Sequence, residues 1–537
     1  MKARVENGVV YSPFPGVEVP SCSVYTVIKD ALTKCPERVA VVDEDARLTG
    51  GQLFVRMKRY AAGFQKHGVL AGDKICIHLR NSVEGFAAMF GCVFAGATLV
   101  LAKPSLTERE LQYLISDSDC THVLTDSKFA AKMKSATSSL CIKGLFAMGE
   151  VDGFVSAASF QDLDEAGFRE CPVENPRDKV LAVVYTSGTT GLPKGVELNQ
   201  YCFVVNYCVC KAGMLYDTTD VVLASAPITH VSGLLWTPLS VLNGATCILT
   251  PPLLRLQDLA PVVKKHGVTR AFFFPSQLRA LCDEMRRSGE RLDTIRRAGV
   301  AGAPLTQATY DAAFNVFGGL QSLVNVYSLT ECGGILCTPS TDGVTDLGFP
   351  GPMTELKVVD IVSRRTLGPQ EIGEICFRTP TVMRGYYKRP KETAEFFEGD
   401  GWCRTGDAGY YDENGRFHFV QRLKEMIKCM DNQVVPAELE GLLLQEYSGD
   451  ISEVAVVGLE HAELGQAPAA AVVLKATPGS DVLAKMADKM KATIAGNLAV
   501  HKRLYGGVFF FESLPKTETG KVNRTALLEQ CAASSPF

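Results

Sequence analysis

Residues 181–198 read LAVVYTSGTTGLPKGVEL. Leu181 to Val184 are apolar at consecutive positions, the pattern of a strand buried on both faces. The next residues change the chemistry at once. Gly188, Gly191 and Gly195 let the backbone bend closely around a ligand, Thr186, Ser187, Thr189 and Thr190 supply hydroxyls, and Lys194 supplies a positive charge. A buried strand running into such a loop predicts a phosphate cradle. The G-x-x-x-x-G-K-[ST] spacing is not met, so a P-loop nucleotide hydrolase is excluded. A Ser/Thr/Gly surface linker would need neither the preceding strand nor the Pro193-Lys194-Gly195 exit.

Outward from this segment, KICIHL, ATLVLA, HVLTD, VVLASAP, ATCILT, RAFFFP and RRAGVAG are further strands apolar on both faces, alternating with helical stretches. That alternation predicts parallel βαβ layers. After Gly348 the texture becomes ELKVVDI, GEICFR and GRFHFV, with the tight turn Glu413-Asn414-Gly415, and predicts a smaller β-barrel-like unit of hairpins. From Lys424 a new alternation begins: helix PAELEGLLLQEY, strands EVAVVGL and AAAVVLK, a Lys-rich helix over 482–499 and strand GGVFFFES. The expected fold is α/β: a large domain over 1–420, then a smaller, mobile α+β domain over 421–537.

The chain has 537 residues, 46% hydrophobic and 21% charged, with 55 Lys+Arg against 59 Asp+Glu for a net charge of -4. So little basic excess does not support nucleic-acid binding. Eighteen cysteines spread over this length, behind an N-terminus without an apolar signal core, suggest a reducing compartment and buried free thiols. Cys208 and Cys210, the only close pair, lack neighbouring ligands for a structural zinc site. Residues 85–102 are uncharged, but Gly91 and Gly96 interrupt them, and a buried helix followed by a strand explains the run without a membrane span. Residues 203–216 read as a core helix.

YTSGTTGLPKGV resembles the signature loop of the adenylate-forming superfamily of acyl-CoA synthetases, firefly-type luciferases and peptide-synthetase adenylation domains. Further along, NVYSLTE resembles the family's Tyr-Gly-x-Thr-Glu motif, GWCRTGDAGYYDENGRFHFVQRLKEMIK its ribose-binding and hinge region, and PKTETGKVNR its C-terminal lysine motif. Length and the phrase QVVPAELE place the resemblance nearest the branch of 4-coumarate-CoA ligases, luciferases and their fatty-acyl-CoA synthetase relatives. It implies an AMP-forming acid:CoA ligase that uses ATP, Mg²⁺ and CoA: a carboxylate attacks the α-phosphate of ATP, and a thiol then displaces AMP.

Because a carboxylate must approach an anionic phosphate, positive charge has to lie between them. The resemblance gives that role to Lys521. Thr330 matches the α-phosphate contact and Glu331 the Mg²⁺ ligand, one carboxylate sufficing because magnesium keeps waters and phosphates in its shell. Tyr327 matches the adenine-stacking residue, with Gly302, Ala303 and Pro304 on the other face, although core packing also explains a lone Tyr. Asp407 matches the ribose-binding carboxylate and Arg422 the arginine across the hinge. His230 matches the residue flanking the acyl carboxylate and the thiol path. Ser232, Gly233, Ala301, Gly302, Gly333, Gly334 and Ile335 are the matching acyl-pocket positions, their small size implying a roomy cavity.

Three positions depart from the family pattern. Gln421 stands at the hinge where Asp or Lys is common, and its backbone rotation is expected to matter more than its charge. Ser328 replaces a glycine. Lys428 is retained, but Asp431 replaces a glycine bordering the pantetheine channel, which predicts hindrance to CoA. Rival readings are a luciferase-like acyl-adenylate oxygenase and a catalytically silent scaffold; retention of Lys194, Glu331 and Lys521 disfavours the second. The C-terminal Ser-Pro-Phe is not a Ser-Lys-Leu type address, so a cytoplasmic location is expected.

Overall fold

The computed structural model describes the whole chain except residues 187–191, 214, 252–255, 303–304, 339–343, 345, 431, 477–478 and 518–520. The chain divides into two compact units, 1–356 with 377–404, and 357–376 with 405–537.

The first unit contains two large α/β sheets. In one, the strands run Gly385–Tyr386, Lys194–Asn199, Val180–Thr186, Thr98–Leu101, Lys74–His78, His122–Asp126, Gly144–Met148 and Val155–Ser156. All neighbours from Val180–Thr186 onward are parallel, whereas the first two strands are antiparallel additions. The other sheet runs Ser322–Val326, Arg297–Ala301, Arg270–Phe273, Val221–Ala224, Thr246–Leu249, Val39–Val42 and Arg47–Thr49, parallel except at its last pair. The eight apolar runs expected as strands all form them, because a strand buried on both faces needs no polar alternation.

The uncharged stretch 85–102 forms a buried helix and strand. The helix Val83–Phe94 is capped by Ser82, whose hydroxyl accepts from the Gly85 N–H at 3.0 Å, and eleven of its twelve residues are buried. Phe86, Phe90 and Phe94 each contribute about 1.5–3 kcal/mol by burial. At Gly91 a Cβ would lie 2.5 Å from the Tyr60 Cβ, so glycine permits the close approach of the helix Gly50–Lys66. Gly96, at φ 91°, turns the chain into the fully buried strand Thr98–Leu101. Among the described residues no helix is long and apolar enough to cross a membrane.

The helix expected over 203–216 differs in position and burial. It spans Gln200–Ala212, starting where Asn199 Oδ1 accepts from the Cys202 N–H at 2.9 Å, and only Gln200 to Val205 are buried. Its second half leaves the core, so Cys208 and Cys210 are half-buried, and burial pushes the Cys210 thiol up to about 12. Twelve of the eighteen cysteines are buried and all are unbridged.

In the second unit, Asn432–Val434, Ile427–Cys429, Gly465–Leu474 and Ile451–His461 form a sheet in that order, with Gly507–Phe510 parallel to Gly465–Leu474. The helices Pro436–Glu446 and Ser480–Asn497 pack Leu439, Leu443, Ala487, Met490 and Ile494 against it. Strand Trp402–Tyr411 pairs antiparallel with Phe417–Arg422 through the expected turn, where Gly415 has φ 82°.

Candidate active site

The strands on either side of the glycine-rich segment pair with each other. Strand Val180–Thr186 returns antiparallel as Lys194–Asn199, with Thr186 opposite Lys194 and Tyr185 opposite Gly195. Ser187, Gly188, Thr189 and Thr190 lie outside the described residues. The helix Glu108–Asp117 holds both ends of the hairpin: the Tyr185 hydroxyl donates to Asp117 Oδ2 at 2.7 Å, and the Tyr113 hydroxyl donates to the Pro193 carbonyl at 3.0 Å. Arg389 donates to the other Asp117 oxygen at 2.6 Å. Asp117 therefore takes two donors, one from the strand that leads into the loop and one from the segment that follows Tyr386.

Tyr327 and Glu331 belong to a tight second hairpin. Tyr327 follows the strand Ser322–Val326, its side chain only 8% exposed, and its carbonyl accepts from the Leu336 N–H at 3.0 Å. Ser328 and Leu329 pair with Ile335 and Gly334, leaving Thr330 and Glu331 at the tip. The turn is closed by the Gly333 N–H on the Thr330 carbonyl at 3.1 Å, with Gly333 at φ 62°. The Met383 N–H donates to the Glu331 carbonyl at 2.8 Å, and the Tyr386 hydroxyl donates to Glu331 Oε1 at 2.9 Å. Tyr386 lies opposite Val196, and the Lys194 ammonium stands 5.3 Å from the centre of its ring. This brings Lys194 and Glu331 to one tyrosine. The sequence reading missed Tyr386, for it sits 55 positions from its carboxylate partner.

Ala301 is buried and lies beside Val326 in the parallel sheet, so Gly302, at φ 91°, and Tyr327 leave from one carboxyl-terminal edge, where open α/β sheets bind ligands. Ala303 and Pro304 lie outside the described residues. The loop that leaves the edge at Ala224 is pinned by buried Asn81, which donates to the carbonyls of Ala224 and Ala226 and accepts from the Ile228 N–H at 2.9 Å. It ends at His230, the N-cap of the helix Val231–Leu242. The Ser232 N–H donates to Nδ1 at 3.3 Å, and the Ser232 hydroxyl lies 2.7 Å from the same atom. As an acceptor, Nδ1 leaves the proton of the neutral ring on Nε2.

The glycines in this region do not report a roomy cavity. A Cβ on Gly233 would fall 2.0 Å from the Pro227 carbonyl oxygen, one on Gly333 would fall 2.3 Å from that of Thr381, and one on Gly334 would fall 2.7 Å from Asn206 Oδ1. Their size follows from close packing, against backbone at Gly233 and Gly333 and against the Asn206 side chain at Gly334, which corrects the inference drawn from the sequence. Ile335 is half-buried, paired with Ser328.

In the second unit, Asp407 is fully buried and stands opposite Arg422, whose Nε lies 2.9 Å from Oδ1. The Asp407 N–H donates to Thr405 Oγ1 at 3.0 Å. Lys521 keeps solvent contact, yet its ammonium is held below the ordinary lysine value, first by desolvation and then by the positive charge of Arg422, with Glu425 and Asp407 opposing. The structure thus gathers Lys521, Asp407 and Arg422 into one electrostatic cluster. Three residues on, Arg524 pairs with Glu425 at 3.2 Å and Glu440 at 2.8 Å and donates to the Val456 carbonyl at 2.6 Å, a set of contacts the sequence reading also missed. Gln421 is buried, its Oε1 accepting from the Ala437 N–H at 3.2 Å at the start of the helix Pro436–Glu446. Lys428 is exposed on its strand opposite Gln433, and Asp431 lies outside the described residues.

No group of three or more His, Cys, Asp and Glu side chains among the described residues forms a metal cage. What the first unit offers is the hard oxygen of Glu331 beside Thr330. Oε1 accepts one hydrogen bond from the phenol, and the carboxylate keeps further lone pairs for a cation. One carboxylate suits Mg²⁺, which is commonly held by one or two carboxylates plus phosphates and water, and it suits zinc poorly.

Residues 28–387 match the AMP-binding enzyme family, and residues 443–521 match the AMP-binding enzyme C-terminal domain. The chain belongs to this adenylate-forming family. It is 30% identical to 4-coumarate--CoA ligase 1 of Solanum tuberosum over 537 residues, covering 97% of this chain and 96% of the relative. It is also 30% identical to 4-coumarate--CoA ligase 5 of Oryza sativa subsp. japonica, with both chains covered in full. Among solved structures, O-succinylbenzoate coenzyme A synthetase of Bacillus subtilis with AMP is 25% identical at a TM-score of 0.78, covering 93% of this chain and 97% of that one. The anthranilate CoA ligase AuaEII with anthranoyl-AMP shares the fold at a TM-score of 0.84 and 22% identity, covering 97% and 98%.

Proposed function

We propose that the protein is an ATP-dependent, AMP-forming acid:CoA ligase that activates a fatty or aromatic carboxylic acid as an acyl-adenylate and transfers it to CoA. The observation that supports this reading is the convergence of the Lys194 ammonium and the Glu331 carboxylate on Tyr386, charges of the kind that phosphate and Mg²⁺ require. The relatives named as CoA ligases support the reaction class.

In this reading Lys194 and the loop hydroxyls neutralise the phosphates of ATP, and Thr330 contacts the α-phosphate. When bound, Mg²⁺ supplies charge neutralisation on the pyrophosphate leaving group. Glu331 would hold it. Asp407 accepts the ribose hydroxyls and Arg422 contacts the nucleotide, while Tyr327, Gly302, Ala303 and Pro304 border adenine. Lys521 supplies the positive charge between the acid and the α-phosphate. His230 flanks the acyl carboxylate, Ala301, Ser232 and Ile335 border the acyl chain, and Lys428 serves the thioester step.

Lys521→Ala tests the assignment. It is expected to abolish acid-dependent pyrophosphate formation while leaving thioester formation from supplied acyl-AMP largely intact. Equal loss of both half-reactions contradicts the role given to Lys521, and a wild-type enzyme that forms no pyrophosphate with any acid contradicts the function itself.

A further inference from the structure

We propose that Tyr386 is a positioning residue for the metal–ATP complex, aligning the Glu331 carboxylate through its hydroxyl and the Lys194 ammonium through its ring. The inference rests on the adenylating function proposed above and adds a residue to it.

Three observations support this role. First, the Tyr386 hydroxyl donates to Glu331 Oε1 at 2.9 Å. A carboxylate with one oxygen fixed by such a bond presents the other in a defined direction, and bonds to a charged acceptor are stronger than neutral ones. Second, the Lys194 ammonium stands 5.3 Å from the ring centre, within the range where a cation is attracted to an aromatic face.

Third, the position of Tyr386 is itself over-determined. Its N–H donates to Thr393 Oγ1 at 2.9 Å, its ring packs edge-on to Phe396 at 6.0 Å, and its strand pairs with the one that begins at Lys194. The segment before it is tied to the Glu331 hairpin, with the Met383 N–H on the Glu331 carbonyl and the Thr381 hydroxyl on the Cys332 carbonyl at 2.6 Å. A residue fixed on both sides in this way sets the spacing between the two charges it touches, and misplacement by about 1 Å can cost a hundredfold in rate.

The test compares wild type, Tyr386→Phe, Glu331→Gln and the double variant. Mn²⁺ binding to the protein–ATP complex is read from the free Mn²⁺ resonance, alongside ATP affinity in EDTA and thermal unfolding. Phe keeps the ring for Lys194 and Phe396, so Tyr386→Phe is expected to retain the wild-type unfolding midpoint and metal-free ATP affinity while weakening Mn²⁺ about tenfold. The double variant is expected to bind no worse than Glu331→Gln alone. Wild-type Mn²⁺ affinity in Tyr386→Phe, or additive losses in the double variant, overturns the proposal; so does a parallel loss of folding stability and metal-free ATP binding. If wild type binds Mn²⁺–ATP with this pattern yet forms no pyrophosphate with any acid, the ligase reading fails while the role of Tyr386 in metal–ATP binding stands.

Discussion

Asp407 and Arg422 face each other across neighbouring antiparallel strands, the guanidinium Nε 2.9 Å from a carboxylate oxygen that is wholly removed from solvent. A buried carboxylate is retained only when it is paired, and this pair sits within the electrostatic reach of Lys521. Asp407→Asn keeps the shape and removes the charge. It is expected to weaken ATP binding about tenfold or more and to cost about 1–3 kcal/mol of stability, the lower part because Arg422 remains partly solvated. Calorimetric ATP titration and thermal unfolding check both.

Gly233 separates packing from substrate selection. With the Pro227 carbonyl 2.0 Å from where a Cβ would be, Gly233→Ala forces the helix Val231–Leu242 away from the 227–228 turn and is expected to cost about 1–3 kcal/mol. A lowered unfolding midpoint with an unchanged order of acid preference supports the packing account. Full stability with a shifted acid-length profile would return Gly233 to the acyl pocket.

The depressed Lys521 ammonium has a definite consequence for pH. In the folded state the charged form is disfavoured, so the unfolded chain binds more protons between the folded value and the ordinary lysine value. Stability carried by this group therefore rises with pH through that window. Adenylation needs the charged form and is expected to fall over the same range, beginning below the ordinary lysine value. Acid-dependent pyrophosphate release measured up to alkaline pH should show this limb, and in Lys521→Arg the residual rate should lose it.

Arg524 connects the lysine segment to the rest of its unit. Its removal takes the ion pair from Glu425, takes the ion pair from Glu440, which keeps only the Val456 N–H at 2.7 Å, and takes a donor from the Val456 carbonyl. Arg524→Ala is expected to cost about 2–4 kcal/mol and to slow adenylation more than thioester formation from supplied acyl-AMP. Separate assays of the two half-reactions, with thermal unfolding of the same preparation, measure these effects.

The sheets were legible because strands such as Lys74–His78 and Thr98–Leu101 are apolar on both faces, a pattern that needs no tertiary context. The return strand Lys194–Asn199 was not, since KGVELN carries charge at Lys194 and Glu197 and gains its strand character only from pairing with Val180–Thr186. Residues with a characteristic motif around them, such as Lys194, Glu331, Asp407 and Lys521, could be proposed from sequence. Asn81, Tyr386 and Arg524 could not, because each acts through partners 55 to 147 positions away in its main contacts and has no local periodicity to mark it. The glycines at 233, 333 and 334 invited a cavity reading, whereas a Cβ there would meet the Pro227 carbonyl of the preceding turn, the distant Thr381 carbonyl and the Asn206 side chain.

The most direct test of the central claim is AMP release from Mg²⁺–ATP across medium- and long-chain fatty acids and hydroxycinnamic acids, each with and without CoA. The account predicts release that depends on the acid and accelerates with CoA, with formation of the corresponding acyl-CoA; release indifferent to every acid, or acid-dependent adenylation that CoA leaves unaccelerated, would contradict it.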